Sequence, residues 1–297
     1  MENISNCPIC NSPETEVKLE VIDHSVTGEL FSLSFCKSCN FLFTTQPPSK
    51  ENIGRYYKSE NYISHTDSSK GLFNRVYQLI RKYTLSSKRS IITRFLEERQ
   101  SSKLLDYGCG TGAFLKEMQS DGWKVSGIEP DDHAREKASS LINQEVYCPV
   151  KIHDFEKNSF EVITLWHVLE HVHDLHETLA QLHNILTQSG LIIIAVPNHL
   201  SGDASHYNSS WAAYDVPRHL YHFNPTSLQK LLGLHGLKIV KVLPMWFDAF
   251  YVSLLSEKYK HGKMRILPAI LQGFYSNFSA LISPGTCSSQ IYIVKKI

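Results

Sequence analysis

Apolar and polar positions follow two alternating patterns along the C-terminal two thirds of the chain. From Lys103 onward, short apolar runs bounded by glycine or polar residues alternate with segments whose apolar residues recur at helical spacing. The runs predicted to be strands are KLLDYG, WKVSGIE, EVYC, FEVITLW, GLIIIAVP, LKIVKVLPM and SQIYIVKKI. This alternation is typical of an α/β domain built on a mainly parallel sheet.

Capping residues place the helices between these strands. Four helix starts are predicted, near Thr111, Asp131, Asp174 and Asn224. A glycine predicts that the third helix ends at Ser189-Gly190. At the fourth start, asparagine is a favoured cap and Pro225 suits the first helical position, and this helix is expected to run to Gly236.

Two segments do not fit the alternation. Residues 198–223 have little regular period, and a long irregular loop inside a compact domain is usually functional, so a substrate loop is expected there. Residues 246–282 are rich in aromatic side chains and are expected to form a helical insertion that covers the sheet edge as a lid. A groove for an apolar substrate and a contact with a membrane surface stay open as alternatives for this insertion.

Two C-x-x-C pairs stand near the N-terminus, Cys7 with Cys10 and Cys36 with Cys39. Two residues between cysteines allow a tight turn to aim both thiolates at one ion, and two such turns complete a tetrahedral shell. Between the pairs, EVKLEVID and LFSLSF alternate around a glycine turn and predict a hairpin. We therefore expect residues 1–46 to form a zinc ribbon with a structural Zn²⁺, with a pair of redox dithiols as the alternative.

A basic segment separates this ribbon from the α/β domain. Residues 47–100 are predicted to form a helical linker or lid, and residues 101–297 the α/β domain. Between Lys70 and Arg99, eight lysines and arginines face two glutamates, which gives a local charge of +6. This charge either faces solvent or contacts phosphate groups on a substrate, and both interpretations stay open.

Composition excludes several other classes of protein. The 297 residues carry a net charge of +1 and are 42% hydrophobic, which suits a globular protein and does not favour a general nucleic-acid binder. No apolar run reaches the roughly 18 residues of a membrane-spanning helix. The N-terminus has neither the basic start nor the apolar core of a signal peptide, so a cytoplasmic location with reduced thiols is expected.

The segment LLDYGCGTG joins a strand to a helix through Gly108, Gly110 and Gly112. Glycines there let the backbone bend sharply and approach a ligand closely. Glu129 stands 21 residues after Gly108 at the end of the next strand, where it can accept both hydroxyls of a ribose. The same loop also satisfies the dinucleotide fingerprint. Asp106, however, would repel a pyrophosphate and favours a cationic cofactor.

With D-x-G-x-G-x-G, these segments resemble the class I S-adenosylmethionine-dependent methyltransferases. LLDYGCGTG is similar to that family's first motif, GIEP to its ribose-binding motif and FEVITLWHVLEHVHD to its fourth-strand motif. The resemblance implies a Rossmann-like, seven-stranded sheet with helices on both faces and an antiparallel last strand. It also implies that the loop from Gly108 to Gly112 holds the methionine part of the cofactor and Glu129 its ribose. Asp154 is a candidate for an adenine contact, and Trp166 for a contact at the carboxyl end of its strand.

Ten of the fifteen histidines lie between His153 and His222. His167, Glu170 and His171 form H-x-x-E-H, a pattern in which zinc hydrolases bind metal through both histidines of one helix. Here the pattern follows an apolar strand, which favours a contact of His167 with cofactor or substrate. A metal-dependent branch of RNA-terminal methyltransferases has a similar cluster, so metal binding stays an alternative.

The segment PRHLYHF in the predicted substrate loop contains His219. Methyl transfer to a hydroxyl or an acidic carbon requires removal of a proton near neutral pH, and histidine suits that task. His219 is therefore predicted as the base, with Tyr214, Asp215 and Arg218 as orienting or substrate-binding groups. The alternative is a structural turn that caps the following helix.

These predictions together describe an enzyme that methylates a small molecule. A four-cysteine ribbon before such a domain, followed by the histidine-containing segment, resembles the sugar C-methyltransferases that act on nucleotide-linked deoxysugars. The chain is expected to lack their further C-terminal domain, which leaves open whether an oxygen or a carbon of a sugar or nucleotide sugar is methylated. A nicotinamide-dependent oxidoreductase, a zinc-ribbon methyltransferase acting on RNA and a non-enzymatic scaffold are the alternatives.

Overall fold

The computed structural model describes residues 1, 4–57, 72–96 and 102–297, with the backbone alone for residues 72–80 and for Pro284. Part of the predicted segment 47–100, including Lys70 and Arg99, lies outside these residues. The strands of the described residues are β1 (Thr15–Ile22), β2 (Leu30–Cys36), β3 (Leu42–Thr44), β4 (Lys103–Tyr107), β5 (Lys124–Ile128), β6 (Phe160–Trp166), β7 (Leu186–Pro197), β8 (Tyr221–His222), β9 (Leu237–Pro244) and β10 (Ser289–Lys296). The α-helices are α1 (Leu72–Phe95), α2 (Ala113–Ser120), α3 (Asp132–Ile142), α4 (Leu175–Ile185), α5 (Gly202–Tyr207), α6 (Pro225–Gly233), α7 (Asp248–His261) and α8 (Ile266–Ile282).

The central sheet confirms the predicted Rossmann-like α/β class and differs from the expectation in its number of strands. Its six strands are arranged in the order β5-β4-β6-β7-β10-β9. Strands β4, β5, β6 and β7 pair in parallel, and β10 is antiparallel to both of its neighbours, as expected for the last strand. The predicted strand EVYC contributes only one bridge, between Ile128 and Tyr147. A 3-10 helix begins at Pro149, which has no N–H to donate, and this ends the extended segment early.

Apolar side chains cover both faces of this sheet, because successive residues of a strand point to opposite sides. One face packs on α4, α6 and the cysteine turns of the N-terminal segment through residues such as Leu105, Ile163 and Ile194. The other face packs on α1, α2 and α3 through alternating residues such as Leu104 and Val162. The site at the carboxyl ends of β4, β5 and β6 therefore stands on a rigid, doubly covered sheet.

The N-terminal segment forms the predicted hairpin, and it does so within a larger sheet. β1 pairs antiparallel with β2 and β2 with β3, while β3 pairs with β8, which belongs to the predicted substrate loop. The side chain of Thr44 donates a hydrogen bond to the carbonyl of His219 at 2.8 Å. The sheet therefore crosses the predicted boundary at residue 46 and fixes part of the substrate loop.

Two helix ends differ from the sequence-based expectation, whereas the cap at Asn224 is confirmed. The helix expected to reach Ser189-Gly190 ends at Ile185, because Leu186 already pairs with Phe160 in the sheet. The α6 helix begins with the predicted asparagine cap, which accepts a hydrogen bond from the backbone of Ser227 at 2.9 Å. It stops at Gly233, three residues before the predicted end.

The aromatic insertion is helical, as predicted, and consists of α7 and α8. These helices pack on each other and on α5, where a Cβ at Gly273 would overlap Phe250. The outer side of α8 exposes a row of large apolar side chains, namely Ile266, Leu267, Leu271, Phe274, Phe278 and Leu281. Within the described ranges, none of the helices combines the length and apolarity needed to cross a bilayer.

Candidate active site

The loop after β4 has the backbone shape for which glycine is suited. Gly108, Gly110 and Gly112 have φ angles of 77°, 55° and 81°, in the left-handed region. A Cβ at Gly108 would also overlap the side chain of Val168, whereas one at Gly110 would meet nothing within 4 Å. The loop therefore packs tightly at Gly108 and offers open backbone to a ligand at Gly110.

Glu129 follows β5 and holds this loop through its carboxylate. Its Oε2 accepts a hydrogen bond from the backbone N–H of Gly110 at 2.8 Å, and its Oε1 accepts one from Asp131 at 3.0 Å. Burial raises the pKa of Glu129, while these two backbone donors oppose that rise. Each carboxylate oxygen retains a second lone pair that can accept a hydroxyl of a ligand.

Asp106 lies at the end of β4, where it is 2% exposed. The hydroxyl of Thr164 on the neighbouring strand β6 donates a hydrogen bond to its Oδ1 at 2.6 Å. Burial raises the pKa of Asp106 to about 7, although Thr164 and the ammonium of Lys88 favour the ionised form. A cation bound beside this carboxyl would keep it charged at neutral pH.

Lys88 of α1 also lies near Asp106, and no sequence pattern predicted this. Its Nζ lies 4.2 Å from the centroid of the Trp166 ring and 5.9 Å from that of Phe114. Burial lowers the pKa of Lys88 to about 8, while the carboxylates of Asp106 and Asp248 favour its charged form. In the sequence, Lys88 is one of eight basic residues of a segment, and nothing in its spacing distinguishes it from the others.

Trp166 ends β6, at the carboxyl edge where its contact was predicted. Its ring meets Phe114 edge to face, with 5.5 Å between the ring centroids. The buried indole N–H has no hydrogen-bond acceptor among the residues that the structure describes. An unpaired buried donor is costly, so this N–H is suited to an acceptor atom on a ligand.

His167, the next residue, lies between two carboxylates. It has a left-handed φ of 57°, and its Nε2 is 3.0 Å from Oδ2 of Asp248 while its Nδ1 is 3.3 Å from Oε1 of Glu170. Burial opposes the charge, but Asp248 and Glu170 raise the pKa of His167 to about 10. At neutral pH this residue is an imidazolium and does not accept a proton. Asp248 comes from the insertion, about 80 residues away in the chain, so sequence patterns gave no sign of this pair.

His219 is buried beside His171 and Glu170. Its Nδ1 lies 2.9 Å from the carbonyl oxygen of Ala213, and its ring meets that of His171 edge to face at 4.6 Å between centroids. Burial, with the nearby His171, lowers the pKa of His219 to about 3, so its imidazole is neutral at physiological pH. Glu170, His171 and His219 each offer one donor atom within 4.8 Å of the other two.

Tyr214 is buried against Trp211 and His222, whose rings meet it edge to face at 5.0 and 5.3 Å between centroids. Burial raises the pKa of Tyr214 to about 12, so its hydroxyl remains protonated and can donate a hydrogen bond. The structure thus places two of the predicted catalytic residues, Tyr214 and His219, in the segment just before the short strand β8.

Arg218, predicted as an orienting or substrate-binding group, is held by contacts within the protein. It donates to both carboxylate oxygens of Asp215, at 3.0 and 2.7 Å, and to Asp23 of the N-terminal sheet at 2.9 Å. It also donates to the carbonyl of Tyr56 at 2.8 Å and is 1% exposed. These acceptors engage the guanidinium within the protein, so Arg218 joins the N-terminal sheet to the substrate loop.

Asp154, the candidate for an adenine contact, ends the 3-10 helix Pro149–Asp154. Its side chain is exposed and pairs with Lys151 at 2.9 Å. Its contact with the cofactor stays a prediction.

The four predicted metal ligands lie together. Sγ of Cys7 is 3.4 Å from that of Cys39, Sγ of Cys10 is 3.5 Å from that of Cys36, and all four sulfurs are within 4.8 Å of one another. These distances are too long for disulfides and near the roughly 3.8 Å edge of a tetrahedral zinc–thiolate site. Burial raises the pKa of Cys7 to about 11 because it disfavours the charged thiolate. A bound cation would favour the thiolate and offset this effect. The four cysteines therefore fit a structural zinc ion.

Fold and site together define the class of the protein. Residues 77–242 match the family model described as "Methyltransferase domain", and this match spans more than half of the chain. The protein therefore belongs to the methyltransferase domain family, which confirms the resemblance read from the glycine loop.

Individual relatives of known sequence are also methyltransferases by name. The chain is 33% identical over 107 residues to a ubiquinone biosynthesis O-methyltransferase of Glaesserella parasuis, covering 32% of this chain and 45% of that protein. It is 24% identical over 147 residues to a malonyl-[acyl-carrier protein] O-methyltransferase of Erwinia billingiae, covering 48% of this chain and 57% of the relative. The chain thus spans about half the length of these relatives.

Solved structures support the fold. A geranyl diphosphate C-methyltransferase from Streptomyces coelicolor superposes with a TM-score of 0.55 at 15% identity, covering 85% of this chain and 100% of that one. A SAM-dependent methyltransferase from Archaeoglobus fulgidus superposes with a TM-score of 0.51 at 19% identity, covering 73% of this chain and 94% of that one.

Proposed function

We propose that the protein transfers a methyl group from S-adenosylmethionine to a small-molecule acceptor. The observation that carries this proposal is the pair of opposite charges, Asp106 and Lys88, beside the glycine loop. The methionine part of the cofactor is a zwitterion, so Asp106 would hold its ammonium group and Lys88 its carboxylate. Glu129, bound to the loop at Gly110, would hold the ribose hydroxyls.

The remaining predicted cofactor contacts complete this arrangement. The open backbone between Gly108 and Gly112 would lie against the methionine part, and Trp166 would contact the cofactor at the end of β6. Asp154 is retained as the candidate for the adenine. A dinucleotide would place its pyrophosphate next to Asp106, and the family to which the chain belongs also argues against that alternative.

The acceptor that we propose is a sugar or nucleotide sugar methylated on oxygen or carbon. The relatives named as O-methyltransferases of ubiquinone biosynthesis and of malonyl-[acyl-carrier protein] support transfer to metabolites or carrier-bound metabolites. The exposed Arg81 and Lys82 of α1 are available to a phosphate on the acceptor. Lys88 lies at the cofactor site and Arg89 pairs with acidic residues of α2 and its C-terminus, so neither is free for this role.

His219, Tyr214 and His167 are the residues that we propose on the acceptor side. The hydroxyl of Tyr214 would donate a hydrogen bond to the acceptor. His167 would act as a fixed positive charge that positions Glu170 and Asp248. His219 would present Nε2 to the acceptor side, because its Nδ1 is engaged by the carbonyl of Ala213.

A structural Zn²⁺ held by Cys7, Cys10, Cys36 and Cys39 belongs to this proposal, as does a cytoplasmic location. The zinc would lock the two cysteine turns in place and, through β3, the strand β8 of the substrate loop. In the cytoplasm the thiols would stay reduced and available to the metal.

The test is a product search with the purified full chain and methyl-labelled S-adenosylmethionine. One arm contains nucleotide sugars and a small-molecule cell extract, and the other contains total RNA. We expect label and the mass gain of one methyl group in the small-molecule arm, and no label with Asp106→Asn. Label in RNA alone would support the RNA-modifying alternative. Thermal stabilisation by NAD and not by S-adenosylhomocysteine would overturn the proposal.

A further inference from the structure

Glu170 is a buried carboxylate whose nearest positive group, His167, is shared with a second carboxylate, Asp248. Its side chain is 0% exposed, and neither carboxylate oxygen receives a hydrogen bond from any part of the chain that the structure describes. The nearest opposite charge is His167, whose Nδ1 lies 3.3 Å from Oε1 without the alignment of a hydrogen bond. A buried carboxylate without hydrogen bonds destabilises the folded protein unless a further positive group binds to it.

Two histidines beside Glu170 have their ring nitrogens assigned by their hydrogen bonds. Nδ1 of His171 lies 3.0 Å from the carbonyl oxygen of Arg218 and 3.0 Å from the hydroxyl oxygen of Tyr57, and Nδ1 of His219 lies 2.9 Å from the carbonyl oxygen of Ala213. A carbonyl oxygen only accepts, so each Nδ1 carries the proton and each Nε2 has a free lone pair. Metal-binding histidines are typically oriented in this way, with the other nitrogen donating to a backbone carbonyl.

We propose that Glu170, His171 and His219 bind a divalent transition-metal ion. One donor atom of each residue lies within 4.8 Å of the other two, as ligands of one ion require. Two imidazoles and one carboxylate suit Mn²⁺, Fe²⁺, Co²⁺ or Zn²⁺, and three protein ligands leave coordination positions open. This site is separate from the four-cysteine cluster, whose ligands are all thiols.

The proposed cation deepens the proposed function and rests on it. An acceptor hydroxyl in an open coordination position would lose its proton to water more readily, because the cation stabilises the oxygen anion. That oxygen would then form a bond to the methyl carbon, while the carbon–sulfur bond breaks and its electron pair stays on sulfur. His219 would thus act on the acceptor as a ligand of the cation. The site favours acceptors with an oxygen that can reach both the cation and the methyl group.

The test is a titration of the zinc-loaded full chain with Mn²⁺, followed by electron paramagnetic resonance. Mn²⁺ prefers nitrogen and oxygen ligands to thiolates, so the cysteine cluster does not compete for it. We expect one Mn²⁺ per chain, and affinity lowered by more than about tenfold in Glu170→Gln and in His171→Ala. The matched control is His133→Ala, which removes an exposed histidine of α3 and leaves Mn²⁺ affinity unchanged.

Two further measurements keep the outcome decisive. Binding of S-adenosylhomocysteine to each variant shows whether it is folded and tests the cofactor site independently of the cation. Nitrogen couplings from two imidazoles in the wild-type spectrum are expected even if a variant does not fold. Absence of bound Mn²⁺, absence of these couplings, or equal affinity in wild type and a folded Glu170→Gln would overturn the cation site. Undiminished methyl transfer with no cation bound would overturn the role of the cation in the reaction while leaving the proposed function intact.

Discussion

Replacement of Lys88 by methionine tests the cofactor site most directly, because methionine keeps the apolar stem and removes the charge. The Nζ of Lys88 lies over the rings of Trp166 and Phe114, where the end of a methionine side chain can also pack, so the fold is expected to survive. The lost interaction is a charge-assisted hydrogen bond to the cofactor carboxylate, which is worth about 2 kcal/mol in a partly buried setting. At about 1.4 kcal/mol per tenfold change, the affinity for S-adenosylhomocysteine should fall about 30-fold.

Isothermal titration calorimetry with S-adenosylhomocysteine measures this change. Lys82→Met is the control, since Lys82 is an exposed lysine of the same helix, and it should bind as wild type does. If the affinity of Lys88→Met for S-adenosylhomocysteine falls less than about twofold, the charge of Lys88 contributes almost nothing to binding and its proposed role is refuted.

The pH dependence of the same titration provides a second signature. The pKa of Lys88 is lowered to about 8, so raising the pH through 8 removes its positive charge and should weaken binding. The pKa of Asp106 is raised to about 7, so lowering the pH through 7 neutralises its carboxylate and should also weaken binding. Affinity is therefore expected to peak between these values. Lys88→Met should lose the decline on the alkaline side and move the acidic decline to higher pH, because the ammonium of Lys88 favours the ionised form of Asp106.

Three further predictions concern backbone shape, zinc and the buried arginine. Gly108→Ala, with φ at 77° and Val168 in the way, should abolish binding of S-adenosylhomocysteine in calorimetry, whereas Gly28→Ala, with φ at 71° in open space, should only cost about 1 kcal/mol of stability. Cys36→Ser should lower the free energy of unfolding in urea by about 3 kcal/mol or more and release zinc, while the exposed Cys148→Ser should do neither; equal stability would exclude a structural metal. Arg218→Met should cost about 3–5 kcal/mol because it strands Asp23 and Asp215, and Asp23→Asn in the same chain should recover part of that loss; no recovery would argue against the ion pair.

Local sequence signals were enough to predict most of the central sheet and the tight glycine loop after β4. The glycines of LLDYGCGTG, the carboxylate of Glu129 and the cap at Asn224 each act through neighbours in the chain, so their spacing is informative. The strand EVYC failed because the proline after it decided the local structure. The grouping of the four cysteines was also predictable, since the spacing of two C-x-x-C pairs is typical of a tetrahedral metal site.

Those parts of the site that distant segments build could not be predicted in the same way. Lys88 and Asp248 reach the site from two different helices, α1 and α7, and neither has a distinguishing neighbour in sequence. Arg218 shows the opposite case. Its segment looks like a binding site in sequence, yet its partners Asp23 and Tyr56 come from a region that had been predicted to be separate.

The pairing of β3 with β8 has a practical consequence for anyone who wishes to cut or exchange parts of this protein. A chain shortened to begin after residue 46 would leave Tyr221 and His222 as an open strand edge, and it would also remove Asp23 from the buried guanidinium of Arg218. An exposed strand edge is a site at which chains pair with one another. We therefore expect that such a shortened chain would be recovered as aggregates, and that exchanging the N-terminal segment between relatives would succeed only if β8 and Arg218 are exchanged with it.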